Sequence, residues 1–284
     1  MLPFVAASSG CAAASTSTLL NVVGWAGCAS AWLLFIAPMV TMRQILRAGS
    51  IGDFSPLPYL ISMLQCFLWT VYALPWVTPC KTQPLVTNGV GTVLELGYVV
   101  VFTVYSPRPG RMLAKALAMV AVGGAFTAFA LLVAPRFDIP RWPDKTASAQ
   151  TTVLGWTCSV LNVAMYAAPL SVVRTVIRRR SVRNMPLLLT IGCGLCSSCW
   201  AAYALLSKPP DLFILAPNVA GLGLFAVQVT VYRCYSPFCG VSAADAVLLA
   251  KRHAPADLVA PIADDAAHSD RPEAERRADQ PLMQ

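Results

Sequence analysis

Charge is scarce in this chain. Only 12% of its 284 residues are Asp, Glu, Lys or Arg, about half the share of an ordinary soluble domain. Together with 57% apolar residues and a mean hydropathy of +0.62, this excludes a soluble globular protein, and the same figures exclude a chain disordered throughout. Histidine is almost missing: His253 and His268 are the two, both near the C-terminus. The chain has no His-Glu-x-x-His, no pair of Asp within an apolar segment and no Gly-x-Ser-x-Gly, so an intramembrane enzyme has nothing to work with. No metal and no cofactor are expected. Asn-x-Ser/Thr acceptors for glycosylation are absent. So are long loops and the Asp-Arg-Tyr and Asn-Pro-x-x-Tyr signatures, which argues against a seven-helix receptor. Met1 to Thr18 has no Lys or Arg, so it fits neither a secretory signal nor a transit peptide.

What remains is a polytopic membrane protein. A bilayer core of ~30 Å takes about 20 apolar residues as a helix. Seven such spans are expected, over 20–42, 57–77, 84–105, 112–134, 151–173, 185–206 and 212–232. Residues 1–19 read as a short non-cytoplasmic lead. Residues 238–284 are rich in Pro, Ala and mixed charge and read as a disordered cytoplasmic tail, with one short helix over 243–251. The net charge of +8 is distributed by side rather than gathered on a nucleic-acid-binding face, and no nucleic-acid partner is expected. Arg43 and Arg47, then Arg108, Arg111 and Lys115, then Arg174, Arg178, Arg179, Arg180 and Arg183 fall in alternate loops, on the side of the tail. The opposite side has only Lys81, Arg136, Arg141, Lys145 and Lys208. This bias predicts an N-terminus outside and a C-terminus in the cytoplasm.

An internal repeat organises the spans. At an offset of 131, Gly24-Trp25 matches Gly155-Trp156, Pro38 matches Pro169, Arg43 matches Arg174, Ser50 matches Ser181, Trp69 matches Trp200 and Tyr72 matches Tyr203. At 130, Asn88 matches Asn218, Gly91 matches Gly221, and Tyr105-Ser106-Pro107 matches Tyr235-Ser236-Pro237. Residues 20–107 and 151–237 are therefore two copies of a three-helix unit, and 108–150 holds a linker helix. One crossing between them makes the copies parallel, the arrangement of secondary transporters whose substrate site lies between repeats. The fold class is all-α transmembrane, seven helices in a 3+1+3 order.

Several residue pairs inherit meaning from this symmetry. Asn88 and Asn218 place an amide in each third span. A buried amide needs partners, either a hydroxyl-rich neutral ligand or a neighbouring helix. Trp69 and Trp200 lie deeper than the interfacial Trp25, Trp76, Trp142 and Trp156, and a flat apolar ring stacks on the C–H face of a sugar. Pro38, Pro58, Pro169 and Pro186 form a fourfold set that either hinges the helices or, for Pro58 and Pro186, opens their first turn. Glu95 is an intramembrane acid with Phe225 at the matching point, so no matched pair of acids exists to couple an ion. Seven of the ten cysteines sit in apolar segments as small hydrophobes; Cys193, Cys196 and Cys199 recur every third residue as helix-contact positions.

The ordered run Ala37-Pro38-Met39-Val40-Thr41, Ser50-Ile51-Gly52-Asp53-Phe54-Ser55-Pro56-Leu57-Pro58-Tyr59, Trp69-Thr70-Val71-Tyr72 and Thr87-Asn88-Gly89-Val90-Gly91 resembles the SWEET (MtN3/saliva) sugar transporters. So do Met165-Tyr166-Ala167-Ala168-Pro169-Leu170, Ser181-Val182-Arg183-Asn184-Met185-Pro186 and Pro217-Asn218 in the second half. The resemblance implies a facilitative uniporter of mono- or disaccharides. It implies a pocket built on Asn88, Asn218, Trp200 and Trp69, and a proline tetrad at Pro38, Pro58, Pro169 and Pro186. It implies an outer gate at Tyr72 and Asp211, with Tyr203 as the repeat mate of Tyr72. Met165 matches a position tied to sugar size and is similar to hexose-preferring members. A lipid bilayer, a homo-oligomer and the plasma membrane are the expected surroundings. Gln65, where Asn is common, and the longer Lys208-Pro209-Pro210 loop depart from the pattern.

Overall fold

Prolines and glycines set where the helices begin and end. The structure is a computed structural model describing residues 18–139, 147–182 and 185–236. Its described residues form helices and turns only. They are α1 (Thr18–Ile36), α2 (Met39–Ala48), α3 (Leu57–Tyr72), α4 (Thr82–Val104), α5 (Pro109–Ala128), continued by a π-helical turn (Phe129–Val133) and a 3-10 turn (Ala134–Arg136), α6 (Ala149–Ala164), α7 (Ala167–Arg179), α8 (Leu187–Leu206) and α9 (Leu212–Tyr235). The chain divides into two units, Met1–Tyr232 and Arg233–Gln284, and the account below concerns the first. Of the expected lead over 1–19, Thr18 and Leu19 belong to α1 instead, and its remainder, the 238–284 tail and the short helix over 243–251 lie outside the described residues.

Six stretches are long and apolar enough to cross a membrane: Thr18–Ala48, Thr82–Val104, Pro109–Arg136, Ala149–Arg179, Leu187–Leu206 and Leu212–Tyr235. The seventh, α3, has 16 residues, about 24 Å of helix. The expected span to 77 is therefore corrected. Pro75 has no N–H to give the Val71 carbonyl, which accepts from Leu74 N at 3.2 Å instead. The apolar chain continues as turns in which Ala73 and Val77 are buried.

The expected first and fifth spans are each longer and broken. In the first, α1 stops at Ile36 and α2 restarts at Met39, with Pro38 capping the new helix. In the fifth, α6 stops at Ala164, Met165 and Tyr166 form a turn, and Pro169 lies in the first turn of α7. Both second pieces are amphipathic. They bury Met42 and Ile45 in α2, and Val173 and Val176, the same repeat positions, in α7. Both end in the left-handed region, at Gly49 (φ 66°) and at its mate Arg180 (φ 48°). Glycine adopts that conformation freely, whereas a side chain pays a steric penalty there. The remaining bounds shift little: α4 starts at Thr82 with Pro84 in its first turn, α5 starts at Pro109, and α9 runs on to Tyr235.

The helices pack as two triplets that meet along two matching seams. Within the first triplet, α3 lies on α4 and α1 on α4. Between triplets, α1 packs on α8 and α3 on α6, first helix against second in each direction. The linker helix α5 leans on α3 and α4, where Gly123 admits the tip of Leu64. One buried cluster runs through both triplets and includes Cys28, Trp69, Tyr72, Leu154, Cys158, Trp200, Tyr203 and Phe213. A second, around Met42, Ile45, Leu60, Tyr98 and Phe102, stays within the first triplet and α5.

Candidate functional site

The repeat recurs in the packing at several matched positions. Cys28 Sγ donates to the Gln83 carbonyl at 3.6 Å, and its mate Ser159 Oγ donates to the Phe213 carbonyl at 2.6 Å. The second bond has a clear cause: Pro217 has no N–H, so the Phe213 carbonyl, four residues earlier, loses its helical donor. A methyl on Gly91 would collide with the Phe35 ring and Cys66; one on Gly221 would collide with Tyr166 and Ser197, which are the repeat mates of Phe35 and Cys66.

The two asparagines share one geometry. Asn88 Nδ2 donates to the Pro84 carbonyl at 2.9 Å, and Asn218 Nδ2 donates to the Ile214 carbonyl at 2.7 Å, each four residues back along its own helix. Both side chains are half-buried. Neither amide is used to tie one helix to another in these bonds. That leaves the carbonyl oxygen and the second N–H of each amide to offer a ligand. Trp69 (7% exposed) and Trp200 (9%) are buried in the cluster common to both triplets. Each meets the tyrosine three residues on edge-to-face, Trp69 with Tyr72 at 5.2 Å and Trp200 with Tyr203 at 5.5 Å. Trp200 also fills the notch at Gly27 of α1, 3.1 Å from where a methyl would stand. Met165 sits half-buried in the turn that ends α6.

One end of the bundle is tied shut between triplets. Tyr72 Oη donates to Asp211 Oδ2 at 2.9 Å, and Lys81 Nζ pairs with the same oxygen at 2.8 Å. The other oxygen of Asp211 caps α9 by accepting from Ile214 N at 3.1 Å. The ammonium of Lys81 also stands 5.8 Å from the centroid of the Tyr203 ring. Tyr203 Oη donates to Gln83 Oε1 at 3.4 Å, and Gln83 Nε2 donates to Asn21 Oδ1 at 2.9 Å. Nearby, Thr151 Oγ1 donates to the Val77 carbonyl at 2.7 Å, seating the start of α6 on the end of α3. Further in, Gln65 Nε2 donates to the Cys158 carbonyl at 2.9 Å, across the α3–α6 seam.

The prolines gather at the opposite end. Pro58 and Pro186 are exposed and begin α3 and α8, while Pro38 and Pro169 are half-buried beside the breaks in the first and fifth spans. Of the two roles left open for Pro58 and Pro186, their position is that of helix starters.

Glu95 is 4% exposed, accepts from Ser62 Oγ at 2.9 Å, and has Oε2 buried without a hydrogen-bond partner. Among the described residues no group of three His, Cys, Asp or Glu is placed to hold a metal.

Sequence reasoning missed Lys81 and Gln83 as members of the tied end. Lys81 was legible: it stands 130 residues before Asp211, so the pair occupies matching repeat positions with opposite charge. Gln83 left no such signal, because its mate is the apolar Phe213.

The family described as "Sugar efflux transporter for intercellular exchange" (MtN3_slv) matches residues 21–110 and 152–238, one match per triplet. The bidirectional sugar transporter SWEET4 of Oryza sativa subsp. japonica is 33% identical over 221 residues, covering 78% of this chain and 82% of the relative. SWEET7 of Arabidopsis thaliana is 34% identical over 222 residues, covering 78% and 83%. The solved structure of a eukaryotic SWEET transporter superposes with a TM-score of 0.68 at 32% identity, covering 76% of this chain and 96% of that one.

Proposed function

Because the chain belongs to the SWEET (MtN3/saliva) family of sugar transporters, we propose that it is a bidirectional uniporter of mono- or disaccharides, with a hexose such as glucose favoured. The observation that carries this reading is the matched pair Asn88 and Asn218, each with one N–H engaged on its own helix and the rest of the amide left to offer. Sugar hydroxyls bind between the two amides, and the ring rests against Trp69 and Trp200. Weak, divided hydrogen bonding suits a carrier, since a tightly held sugar would not leave.

Positive charge in the loops at the proline end supports a cytoplasmic position for that end and an N-terminus outside, and the plasma membrane is the proposed location. Lys81, Asp211, Tyr72 and Tyr203 then close the outer side. Rocking of the triplets, with the breaks beside Pro38 and Pro169 as flexible points, opens the outer side in turn. Movement down the gradient is favoured because Glu95 has no acidic mate: Phe225 holds its place.

Uptake of labelled glucose in cells lacking their own hexose carriers tests the reading. The expected result is saturable uptake that ignores external pH and a protonophore. Uptake that collapses with the proton gradient would overturn uniport while keeping the sugar. No uptake of glucose or sucrose by protein shown to be at the surface would overturn sugar transport.

A further inference from the structure

At the tied end the two repeats use different chemistry at one matched position, and the difference has a consequence for the transport cycle. In the second repeat, Phe213 packs its ring against Tyr72 at 6.2 Å and Trp156 at 5.9 Å and covers Gly155. In the first repeat the position is Gln83, 7% exposed in the first turn of α4. Its stem lies on Gly24 of α1, where an added methyl would stand 2.9 Å from Cγ. Its amide nitrogen holds Asn21 of α1 and its amide oxygen accepts from Tyr203 of α8. Gln83 is thus clamped by its own triplet on one side and holds the other triplet with its oxygen. The Tyr72–Asp211 bond does the same on the other seam, from α3 to the start of α9.

We propose that Gln83 is a second outer latch, a positioning residue whose bond to Tyr203 must break each time the outer side opens. This rests on the orientation and alternating-access reading given above. Lys81 links the two latches, pairing with Asp211 and lying over the Tyr203 ring, so both release together. Asn21 acts through Gln83 by fixing the amide so that its oxygen, not its nitrogen, faces Tyr203. A single neutral hydrogen bond of this kind shifts the closed-to-open ratio about two- to tenfold. Loss of the latch therefore enlarges the outward-facing population without touching the sugar site. A carrier that waits more often facing outward shows a lower KM for uptake and a higher KM for efflux.

The test uses Gln83→Leu, which keeps the stem on Gly24 and deletes both polar arms, and Tyr203→Phe, which keeps the ring over Trp200 and deletes the hydroxyl. Each is measured for the ratio of efflux KM to uptake KM with glucose. Each is also measured for labelling of Thr87→Cys by a membrane-impermeant maleimide, with the background of the Thr87 parent subtracted. Thr87 is buried one turn further in from Gln83. The latch predicts a rise of about two- to tenfold in both readouts for either variant, and no further rise in the double variant, because both remove one bond. Unchanged labelling and an unchanged KM ratio in a surface-expressed Gln83→Leu would overturn the latch, as would fully additive effects. If Gln83→Leu fails to reach the surface, Tyr203→Phe decides alone. If the parent takes up no glucose, the sugar reading fails by itself and the maleimide labelling still decides the latch.

Discussion

The two triplets have one backbone plan and put different side chains on it. Cys28 and Ser159 reach the same carbonyl position, Gly91 and Gly221 admit the same neighbours, and Asn88 and Asn218 make the same bond. Against that background the unlike pairs stand out: Lys81 with Asp211, Gln83 with Phe213, Glu95 with Phe225, Gly49 with Arg180. Among the alike mates, Asn88 with Asn218 and Gly91 with Gly221 lie along the third helices of the two triplets, while Tyr72 and Tyr203 lie at the tied end. Of the unlike pairs, Lys81 with Asp211 and Gln83 with Phe213 lie at the tied end. A Lys facing its own symmetry mate would repel it; a Lys facing Asp attracts it. Asymmetry at a two-fold seam is what lets equivalent positions bind each other, and it gives the closed end its stability.

The sharpest way to break the comparison is to make the like pair unlike. Asn88→Ala or Asn218→Ala removes half of the matched amides, and each is expected to reduce glucose uptake at least tenfold while leaving surface expression intact. Normal uptake by both variants would remove these residues from the sugar site. The next effect concerns the unlike charges. Lys81 and Asp211 are nearly enclosed, with side chains 10% and 4% exposed, so removing one partner strands a desolvated charge at about 3–5 kcal/mol. Lys81→Asp should lower thermal stability in detergent and uptake severely. Adding Asp211→Lys should recover a large part of both, less the lost cap on Ile214 at about 1 kcal/mol. No recovery in the swap would mean that Asp211 matters for its cap and for Tyr72 rather than for Lys81.

A smaller effect separates the two glycines at matched notches. A methyl on Gly155 would stand 2.4 Å from the Phe213 ring, which is held by Trp156 and Tyr72. Gly155→Ala should cost about 1–3 kcal/mol by overpacking. The same change at Gly24 stands 2.9 Å from the Gln83 stem and 3.0 Å from the Tyr203 ring, a looser fit than 2.4 Å, and should cost less. Equal melting shifts for the two variants would show that the polar and aromatic fillings are equally rigid.

Much of this was legible in the residues, and the limits have physical causes. Seven spans, the offset of 131 and the family resemblance follow from apolar run lengths and from residues that recur, because a repeated fold repeats its special positions. The ends of the spans were less legible. Apolar residues continue past Tyr72, so hydropathy alone extends the span to Val77, and only the missing N–H of Pro75 ends the helix. Likewise, Pro38 marks a weak point in the first span, but hydropathy does not reveal that the helix stops at Ile36 and restarts. The aromatic and amide pairs were found because their mates are alike. Of the bonds between triplets, the resemblance supplied Tyr72 and Asp211, but nothing pointed to Gln83 with Tyr203, which are 120 positions apart and share no pattern.

The mildest perturbation concerns the pair in which one repeat carries an acid and the other an aromatic ring. Phe225 fills its position by packing against Gly194, 2.6 Å from where a methyl there would stand. Glu95 fills the corresponding place with a carboxylate held by Ser62 on the neighbouring α3. If that carboxylate only bonds the hydroxyl, an amide of the same shape does as well, because its carbonyl oxygen still accepts from Ser62 Oγ. Glu95→Gln should then retain uptake within about twofold, the span of one neutral hydrogen bond at the low end of its range. Glu95→Ala should lose more, since it strands the hydroxyl and leaves a void between α3 and α4. A loss of more than tenfold in Glu95→Gln, with Glu95→Ala no worse, would point instead to a proton carried on the acid. It would make the first triplet, and not the pair of asparagines, the place where this transporter departs from simple uniport.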